Sequence, residues 1–534
     1  MTALLDSAVV DGRWRVPVRF NFTRDVVDML ADQDGKALLF VDSRGGVKEL
    51  GFADVAGRTN RWANLLRRFG LDRGDRLLVL VGKKPDWHAV MLAALKIGAV
   101  AIPCSEQLRG RDLAFRARDS GASLLVAERA SEAEVDVMLE HLDERLPVVF
   151  LDEAEAKLDG ERDSAEAAET ASDEPAFILY TSGTTKEPKG VVHTHAYCFA
   201  KRMQAEQWLA AGPRDLVWCT AATGWAKAIW NVLLGPWSRG AAIAPHEGGF
   251  DPEERFRLLE ELRPTVLCQA PTEFRLMAKL GNLGRYDLSH LRHAVSAGEP
   301  LNPEVIKVFE DAFGLTIRDG YGQTENTLLV GNAPGAAVKP GSMGLPSPGH
   351  EVAVIDEERE LRPGEEGDIA LRGRPPTLFS EYYGRPEETT AVFRGDWYLT
   401  GDRATRDEDG YFWFTGRSDD VILTAAYRVG PFEVESALLE HDAVAESAVV
   451  GKPHADRGQI VKAFVVLRPG FDAGDDLARA LQEHAKRVTA PYKYPREIEF
   501  VDSLPKTRSG KIRRVELRQL EEERALDATG PPTA

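Results

Sequence analysis

The chain contains 534 residues and carries a formal net charge of −18, so it is too long for one hydrophobic core and should form about three or four domain-sized units. An acidic excess of this size argues against a general nucleic-acid-binding protein and against a protein that binds anionic membrane surfaces. No hydrophobic run reaches the length of a membrane span, and the N-terminus lacks the hydrophobic segment of a signal peptide. The four cysteines show no CxxC pair and no metal-ligand spacing. We therefore expect a cytoplasmic protein with reduced thiols.

The N-terminal third of the chain alternates between apolar strand patterns and helical patterns. Because strands that alternate with helices pair through right-handed crossovers, this region should form a mostly parallel sheet that helices cover on both faces. Residues 152–175 are rich in Asp, Glu and Ala and predict a solvated helix or a loop. The predicted helices are 22–30, 60–69 and 87–95, and the predicted strands are a pair near 37–41 and the runs 76–81, 100–103, 123–127 and 148–151.

The same alternation continues to about residue 300 and then changes. Residues 350–415 carry shorter β patterns and glycine-rich turns, which predict a small antiparallel unit. The remaining predicted elements are helices at 254–262, 432–439 and 477–488 and strands at 265–269, 290–297, 447–450, 460–466 and 498–501. The predicted fold is therefore α/β: residues 1–418 form a large body of parallel-type sheets layered with helices plus a small β unit, and residues 419–534 form a smaller, mobile α+β C-terminal domain.

The segment 181–190 (TSGTTKEPKG) follows an apolar strand pattern and combines hydroxyl groups, two glycines and two lysines. Glycines let backbone N–H groups converge, and hydroxyl and ammonium groups can complete a cradle for phosphate oxygens. The segment is not a Walker A loop, because it lacks Gly-Lys-Ser/Thr and its glycines are too far apart. The alternative interpretation is a polar surface loop.

Four further motifs follow this segment in order along the chain: 320–325 (GYGQTE), 398–402 (YLTGD), 416–420 (GRSDD) and 505–511 (PKTRSGK). The ordered series resembles the adenylate-forming superfamily of acyl-CoA synthetases, peptide-synthetase adenylation domains and luciferases, over nearly the whole chain up to Arg514. The resemblance implies an AMP-forming acid–thiol ligase that uses ATP, CoA and Mg²⁺. A carboxylic acid attacks the α-phosphorus of ATP to give an acyl-AMP and pyrophosphate, and a thiol then displaces AMP.

The resemblance also implies roles for individual residues in nucleotide binding. Thr324 would donate to the α-phosphate and Glu325 would hold Mg²⁺, while Asp402 and Arg417 would bind the ribose. Arg428 matches a second arginine at the domain junction. The β- and γ-phosphates would lie on Thr181, Ser182, Gly183, Thr184, Thr185 and Lys189, and the rest of the nucleotide site would be Gly298, Glu299, Pro300, Asp319, Gly320, Tyr321, Gly322 and Gln323.

Three assignments concern the moving domain. Lys511 matches the lysine that bridges the carboxylate and the α-phosphate during adenylation, and Asp419 matches the hinge of the C-terminal domain. Ala425, Ala426 and Tyr427 would line the tunnel for the CoA thiol. The sequence departs from the commonest family pattern at two positions, where Lys186 and Ala426 stand in place of glycine.

The segment Thr223, Gly224 and Trp225 resembles the acyl pocket of medium-chain acyl-CoA synthetases, in which an indole would bound the chain length. The alternative for Trp225 is core packing, and a branched or aromatic acid would fit the same pocket description. His193 and His195 form an HxH pair without further ligands, which we interpret as structural or pocket-lining.

Two other functions stay open from the sequence. The protein could pass its acyl-AMP to the thiol of a separate carrier protein or to an amine, or it could be a non-catalytic member of the family. The presence of Glu325, Asp402, Arg417 and Lys511 argues against the second alternative. The expected partners are a small carboxylic acid, ATP and CoA, with no nucleic acid and no membrane span, and the sequence gives no indication of an oligomeric state.

Overall fold

A computed structural model describes residues 6–181, 188–417, 420, 422–424, 427–454, 457–489, 493–506 and 512–528. Among these residues, no helix combines the length and the hydropathy that crossing a bilayer would require.

The strands of the first half of the chain are short and mostly buried. They are β1 (Val9–Val10), β2 (Arg13–Trp14), β3 (Lys36–Val41), β4 (Val47–Gly51), β5 (Arg76–Leu80), β6 (Val100–Pro103), β7 (Leu124–Ala127), β8 (Val148–Phe150), β9 (Pro175–Thr181), β10 (Lys189–Thr194), β11 (Leu216–Cys219), β12 (Ala242–Ile243), β13 (Val266–Gln269) and β14 (His293–Ala297).

The strands of the second half include the longest of the described part. They are β15 (Ile317–Gly322), β16 (Leu328–Gly331), β17 (Leu345–Pro346), β18 (Val352–Asp356), β19 (Arg359–Glu360), β20 (Glu366–Arg372), β21 (Glu381–Tyr382), β22 (Phe393–Arg394), β23 (Trp397–Arg406), β24 (Phe412–Arg417), β25 (Ile422–Thr424), β26 (Tyr427–Val429), β27 (Val444–His454), β28 (Gly458–Leu467) and β29 (Glu497–Phe500).

The longer α-helices include the predicted helices at 60–69, 87–95, 254–262, 432–439 and 477–488, together with helices that were not assigned from the sequence. They are α1 (Phe52–Arg68), α2 (Pro85–Ile97), α3 (Gly110–Ser120), α4 (Glu132–Glu140), α5 (Leu151–Leu158), α6 (His195–Gln207), α7 (Pro252–Leu262), α8 (Pro271–Ala278), α9 (Pro303–Phe313), α10 (Pro386–Ala391), α11 (Pro431–Leu439), α12 (Asp475–Val488) and α13 (Arg514–Ala528). Shorter helical segments include Thr23–Asp28, Met29–Ala31, Ala226–Ala228 and Ile229–Leu234.

Two large sheets build the N-terminal body. The first has the strand order β21-β10-β9-β6-β5-β7-β8, and the second has the order β17-β16-β15-β14-β13-β11-β12-β3-β4. Pairing is parallel from β9 to β8 and from β15 to β3. Antiparallel strands lie at one edge of the first sheet, through β10 and β21, and at both edges of the second, through β16, β17 and β4. This arrangement confirms the predicted α/β class.

One hydrophobic core joins the two sheets. It contains Leu77 of the first sheet, Val266 of the second, and the indoles of Trp62 and Trp87 from the helices α1 and α2. Both indoles are fully buried. The helices therefore fill the layer between the sheets, as expected when strands that are apolar on both faces must be covered on both sides.

The region predicted as a small antiparallel unit forms a separate sheet with the order β19-β18-β20-β23-β22, and β24 pairs with β23. All its strand pairs are antiparallel. The sheet matters for the site because β23 and β24 carry Asp402 and Arg417 to one end of the large body.

Residues from 422 onward form an α+β unit around β26-β25-β28-β27, with β29 beside β28. Its hydrophobic clusters contain described residues only from this part of the chain, which supports our proposed division into residues 1–418 and 419–534. Helix α13 was not predicted, because its sequence is highly charged. Its Glu521 is fully buried and lies 2.8 Å from the Nζ atom of Lys462, which fixes the helix to β28.

Candidate active site

The carboxyl ends of three parallel strands bring the predicted nucleotide segments together. Strands β13, β14 and β15 are neighbours in register, with Gln269 opposite Ser296 and Ser296 opposite Asp319. The segment 298–300 leaves the end of β14 beside the end of β15. Because parallel strands end at a common edge, the predicted adenine segments are adjacent in space although they are distant in sequence.

Asp402 is the centre of a hydrogen-bond network that joins two of the predicted motifs. Its Oδ2 atom accepts from the Tyr321 hydroxyl at 2.6 Å and from Nε2 of Gln323 at 2.7 Å. Arg417 lies opposite it in the strand register, with Nη1 3.6 Å from Oδ1. The predicted ribose pair is therefore preassembled, and its carboxylate is oriented by side chains of the 320–325 motif.

Glu325 is partly buried, and desolvation raises the pKa of its carboxyl group. Oε1 accepts a hydrogen bond from the Tyr382 hydroxyl at 2.9 Å, and the main-chain carbonyl of Glu325 accepts from the amide of Phe379 at 2.7 Å. Sequence reasoning missed Tyr382, because the two-residue strand β21 that carries it is too short to show a periodic pattern.

The carboxylate of Glu325 fits a magnesium ion that arrives with ATP. No group of three or more His, Cys, Asp or Glu side chains within the described ranges could hold a metal ion by itself. Mg²⁺ commonly uses one or two protein carboxylates and takes its remaining ligands from substrate phosphates and water. A single, partly buried carboxylate beside the nucleotide segments suits that mode of binding.

The predicted phosphate segment is described only at its two ends. Thr181 ends β9 and Lys189 begins β10 directly opposite it, so the two strands form the base of the loop. Ser182, Gly183, Thr184, Thr185 and the divergent Lys186 lie outside the described residues. Lys189 pairs with Glu388 of α10, and its Nζ atom lies 4.9 Å from the centre of the Tyr382 ring. Glu388 is a second neighbour that the sequence did not indicate.

The segment 298–300 is held by helix α8. Glu299 accepts hydrogen bonds from Thr272 and Arg275, each at 2.8 Å. Gly298 has a φ of +108°, a conformation that disfavours any side chain. The position of this segment therefore depends on the strand-end sequence 270–275 as well as on its own glycine.

Asp319 differs from the other carboxylates of the site. Its side chain is buried, Oδ1 has no hydrogen-bond partner among the described residues, and desolvation raises its pKa to about 8. The carboxyl group is consequently protonated at neutral pH. A protonated acid at the end of β15 can donate a hydrogen bond to a neutral ring nitrogen.

We expect the substitution Asp319→Asn to change how stability depends on pH. Between the usual pKa of 3.8 and the raised value of about 8, the folded protein binds one proton more than the unfolded chain, so rising pH destabilises the native protein by about 1.4 kcal/mol per pH unit through this group. The Asp319→Asn variant should lack this pH-dependent contribution to the free energy of unfolding. Urea unfolding without nucleotide, repeated across that pH range, measures the difference, and parallel curves for the two proteins would contradict the assignment.

The predicted acyl-pocket turn is tightly built. Thr223 donates to the carbonyl of Val81 at 2.8 Å. A Cβ atom on Gly224 would lie 2.2 Å from the amide nitrogen of Ser105, so only glycine fits there. Trp225 is half-buried, unlike the fully buried core indoles such as Trp237. This partial exposure favours the pocket interpretation of Trp225 over core packing.

The predicted residues of the C-terminal domain are only partly described. Asp419, Ala425, Ala426 and Lys511 lie outside the described residues. For Tyr427 and Arg428 the backbone belongs to β26, which pairs with β25, but their side chains also lie outside the described part. Lys506 and Ile512 form a β-bridge that closes the base of the segment carrying Lys511.

Comparisons with known proteins identify the family of this chain. The chain matches the profile of the AMP-binding enzyme family over residues 29–383 and that of the AMP-binding enzyme C-terminal domain over residues 433–511. It is 46% identical to the uncharacterized acyl–CoA ligase YtcI of Bacillus subtilis, over 95% of this chain and 97% of that protein. It is 40% identical to the mitochondrial acyl-coenzyme A synthetase ACSM3 of Mus musculus, over 97% of this chain and 93% of that protein.

Two solved structures share the architecture. The anthranilate CoA ligase AuaEII in complex with anthranoyl-AMP is 30% identical with a TM-score of 0.88, and the alignment covers 96% of this chain and 99% of that one. A benzoate CoA ligase from Burkholderia xenovorans LB400 is 33% identical with a TM-score of 0.84, covering 93% and 100%.

Fold and site together define an adenylate-forming ligase, as the sequence predicted. The chain belongs to the AMP-binding enzyme family. It is an AMP-forming acyl-CoA synthetase that uses ATP, CoA and Mg²⁺.

Proposed function

We propose that this enzyme converts a medium-chain fatty acid to its acyl-AMP at the site around Glu325 and Asp402, and then transfers the acyl group to CoA. The observation that carries the proposal is the convergence of Glu325, Asp402 and Arg417 from separate motifs onto one end of the body. The half-buried Trp225 supports an acyl slot of limited depth beside this site.

In the first half-reaction, a carboxylate oxygen attacks the α-phosphorus and pyrophosphate leaves. Asp402 and Arg417 hold the ribose, Thr324 donates to the α-phosphate, and the loop that ends at Lys189 holds the leaving phosphates. Glu325 would hold Mg²⁺, which would supply positive charge to the site. Negative charge grows on an already anionic group, so catalysis depends on preorganised cations and donors rather than on a protein nucleophile.

The remaining roles belong to the C-terminal domain. We propose that this domain moves as a lid about Asp419, brings Lys511 to the α-phosphate for adenylation, and moves it away for thioester formation. Ala425, Ala426 and Tyr427 then line the path of the CoA thiol, where the methyl group of Ala426 slows thiol entry relative to glycine. We also propose a cytoplasmic location, which the four buried free thiols support.

Pyrophosphate exchange across a panel of straight-chain, branched and aromatic acids, with and without CoA, tests the proposed function. We expect exchange with medium-chain acids and acyl-CoA formation when CoA is added. Brisk exchange without acyl-CoA from any acid would instead support transfer to a carrier-protein thiol or an amine. A preference for aromatic acids is the second candidate, because the anthranilate and benzoate ligases share the fold at 30% and 33% identity.

The substitution Trp225→Ala should move the acid preference toward longer or bulkier acids, because it removes the indole that bounds the slot. A methylene group in such a pocket is worth roughly 1–3 kcal/mol, so the optimum of kcat/KM should shift visibly along a homologous series. Trp237→Phe serves as the control, since Trp237 is fully buried and its replacement should lower stability without moving the profile. An unchanged profile for Trp225→Ala would mean that Trp225 has a packing role and does not bound the acyl slot.

A further inference from the structure

We propose that His193 is a positioning residue for adenylation, which fixes the carbonyl of Thr324 and thereby the orientation of the Glu325 side chain. The inference deepens the proposed function and rests on the role given there to the Thr324–Glu325 segment. His193 itself does not contact substrate.

The imidazole of His193 makes one directed contact. Its Nε2 atom lies 2.7 Å from the carbonyl oxygen of Thr324, and because a carbonyl can only accept, Nε2 carries the hydrogen. The side chain is fully buried, and Nδ1 has no hydrogen-bond partner in the described part of the chain. Burial lowers the pKa of His193 to about 3, so the ring is neutral and held in a single tautomer.

An aromatic stack prevents this ring from turning. The ring of Tyr197 lies parallel to His193, with 3.8 Å between centroids. The Tyr197 hydroxyl accepts a hydrogen bond from Nε1 of Trp230, and the Nζ atom of Lys201 lies 3.4 Å from the Tyr197 ring centre. Rotation of the imidazole would therefore require the whole buried stack to repack.

The carbonyl that His193 holds belongs to the peptide bond between Thr324 and Glu325. Loss of the donor would leave this buried oxygen unpaired and allow the peptide plane to rotate. Rotation would change the backbone torsions on either side of this peptide, which direct the Thr324 hydroxyl and the Glu325 carboxylate. The other described supports of Glu325 act on its main-chain carbonyl, which accepts from Phe379, and on its carboxylate, which accepts from Tyr382. His193 adds a donor to the carbonyl of the preceding peptide.

Strand β10 links the supports of Glu325. His193 lies on β10, and β10 also pairs with the strand β21 that carries Tyr382. Strand β10 therefore supports the proposed metal carboxylate in two ways, through its own His193 and through its pairing with the strand that carries Tyr382. His195, two residues further on, is equally buried, but neither of its ring nitrogens has a hydrogen-bond partner among the described residues.

The test compares three replacements of His193 with one matched control. Gln keeps an amide N–H at nearly the reach of Nε2, Asn keeps a donor that is too short to reach Thr324, and Leu removes the donor. His195→Leu removes a second buried imidazole that does not contact Thr324. The measurements are the affinity for a non-hydrolysable ATP analogue with and without Mg²⁺ by calorimetry, the Mg²⁺ dependence of pyrophosphate exchange, and the midpoint of thermal unfolding.

We expect His193→Leu and His193→Asn to lower exchange by about 10–100-fold and to weaken Mg²⁺-dependent binding of the analogue, because the loss of a group that orients a metal ligand has effects of this size. His193→Gln should recover most of both, and KM for the acid should change by no more than about twofold in every variant. His195→Leu should leave the Mg²⁺ dependence unchanged. If His193→Leu does not fold, the Gln and Asn variants decide the question.

Equal losses in the Gln and Asn variants, or losses that follow the unfolding midpoint as in His195→Leu, would overturn the proposal. Failure of the proposed function is a separate outcome. It would appear as an absence of exchange in the unmodified protein with every acid, whereas the calorimetric comparison of the His193 variants does not depend on the acid.

Discussion

Replacement of Lys511 by alanine is expected to lower the rate of adenylation by orders of magnitude while the fold stays intact. A single cation matters most while negative charge builds on the α-phosphate, so the loss should fall on kcat of the first half-reaction. Thioester formation from preformed acyl-AMP should survive, because the lid has then moved the lysine away. The two half-reactions are measured by pyrophosphate exchange and by acyl-CoA release from synthetic acyl-AMP.

Lys506 provides the matched control for this experiment. It lies on the same segment, five residues before Lys511, but its ammonium group pairs with Glu446 of the C-terminal domain at 2.5 Å. Lys506→Ala should leave both half-reactions near the level of the unmodified protein. An equal fall of both half-reactions in Lys511→Ala would mean that Lys511 does not act as the adenylation lysine.

Glu325→Gln should reduce adenylation by about two orders of magnitude or more, because metal-assisted charge stabilisation contributes several kcal/mol in such reactions. The amide is close in shape to the carboxylate and can still accept from Tyr382, so the fold should persist. The Mg²⁺ concentration that half-saturates exchange should rise sharply. Titration of exchange with Mg²⁺ at fixed ATP measures both effects.

Tyr382→Phe is a milder change that affects the same carboxylate. It removes only the hydroxyl that donates to Glu325 at 2.9 Å, so the carboxylate keeps its charge but loses an orienting contact. A smaller reduction of about tenfold is expected, with a modest rise in the Mg²⁺ requirement. If Glu325→Gln left the Mg²⁺ dependence unchanged, another group would have to hold the metal.

The local sequence determined much of this protein. Apolar runs that alternate with helical patterns require a parallel sheet with covered faces, and the observed sheets have that form. The nucleotide segments could be located because each follows a strand, and neighbouring parallel strands end at a common edge. The pairing of Asp402 with Arg417 was implied by the family resemblance. The hairpin of β23 and β24 places the two residues opposite each other, with a shift of register next to Arg403.

The tertiary structure alone decided which distant side chains complete the site. Tyr382 and Glu388 carry no motif, and the HxH pair that contains His193 does not indicate its partner. The neighbours of these three residues in space are 57, 199 and 131 positions away along the chain. The two histidines of the HxH pair look alike in sequence, and only the packing of β10 against the turn at Thr324 distinguishes them. Helix periodicity likewise could not predict α13, because its buried glutamate is stabilised by a lysine on another element. Short-range patterns specify which elements form, whereas pairing between distant elements depends on packing that no single segment encodes.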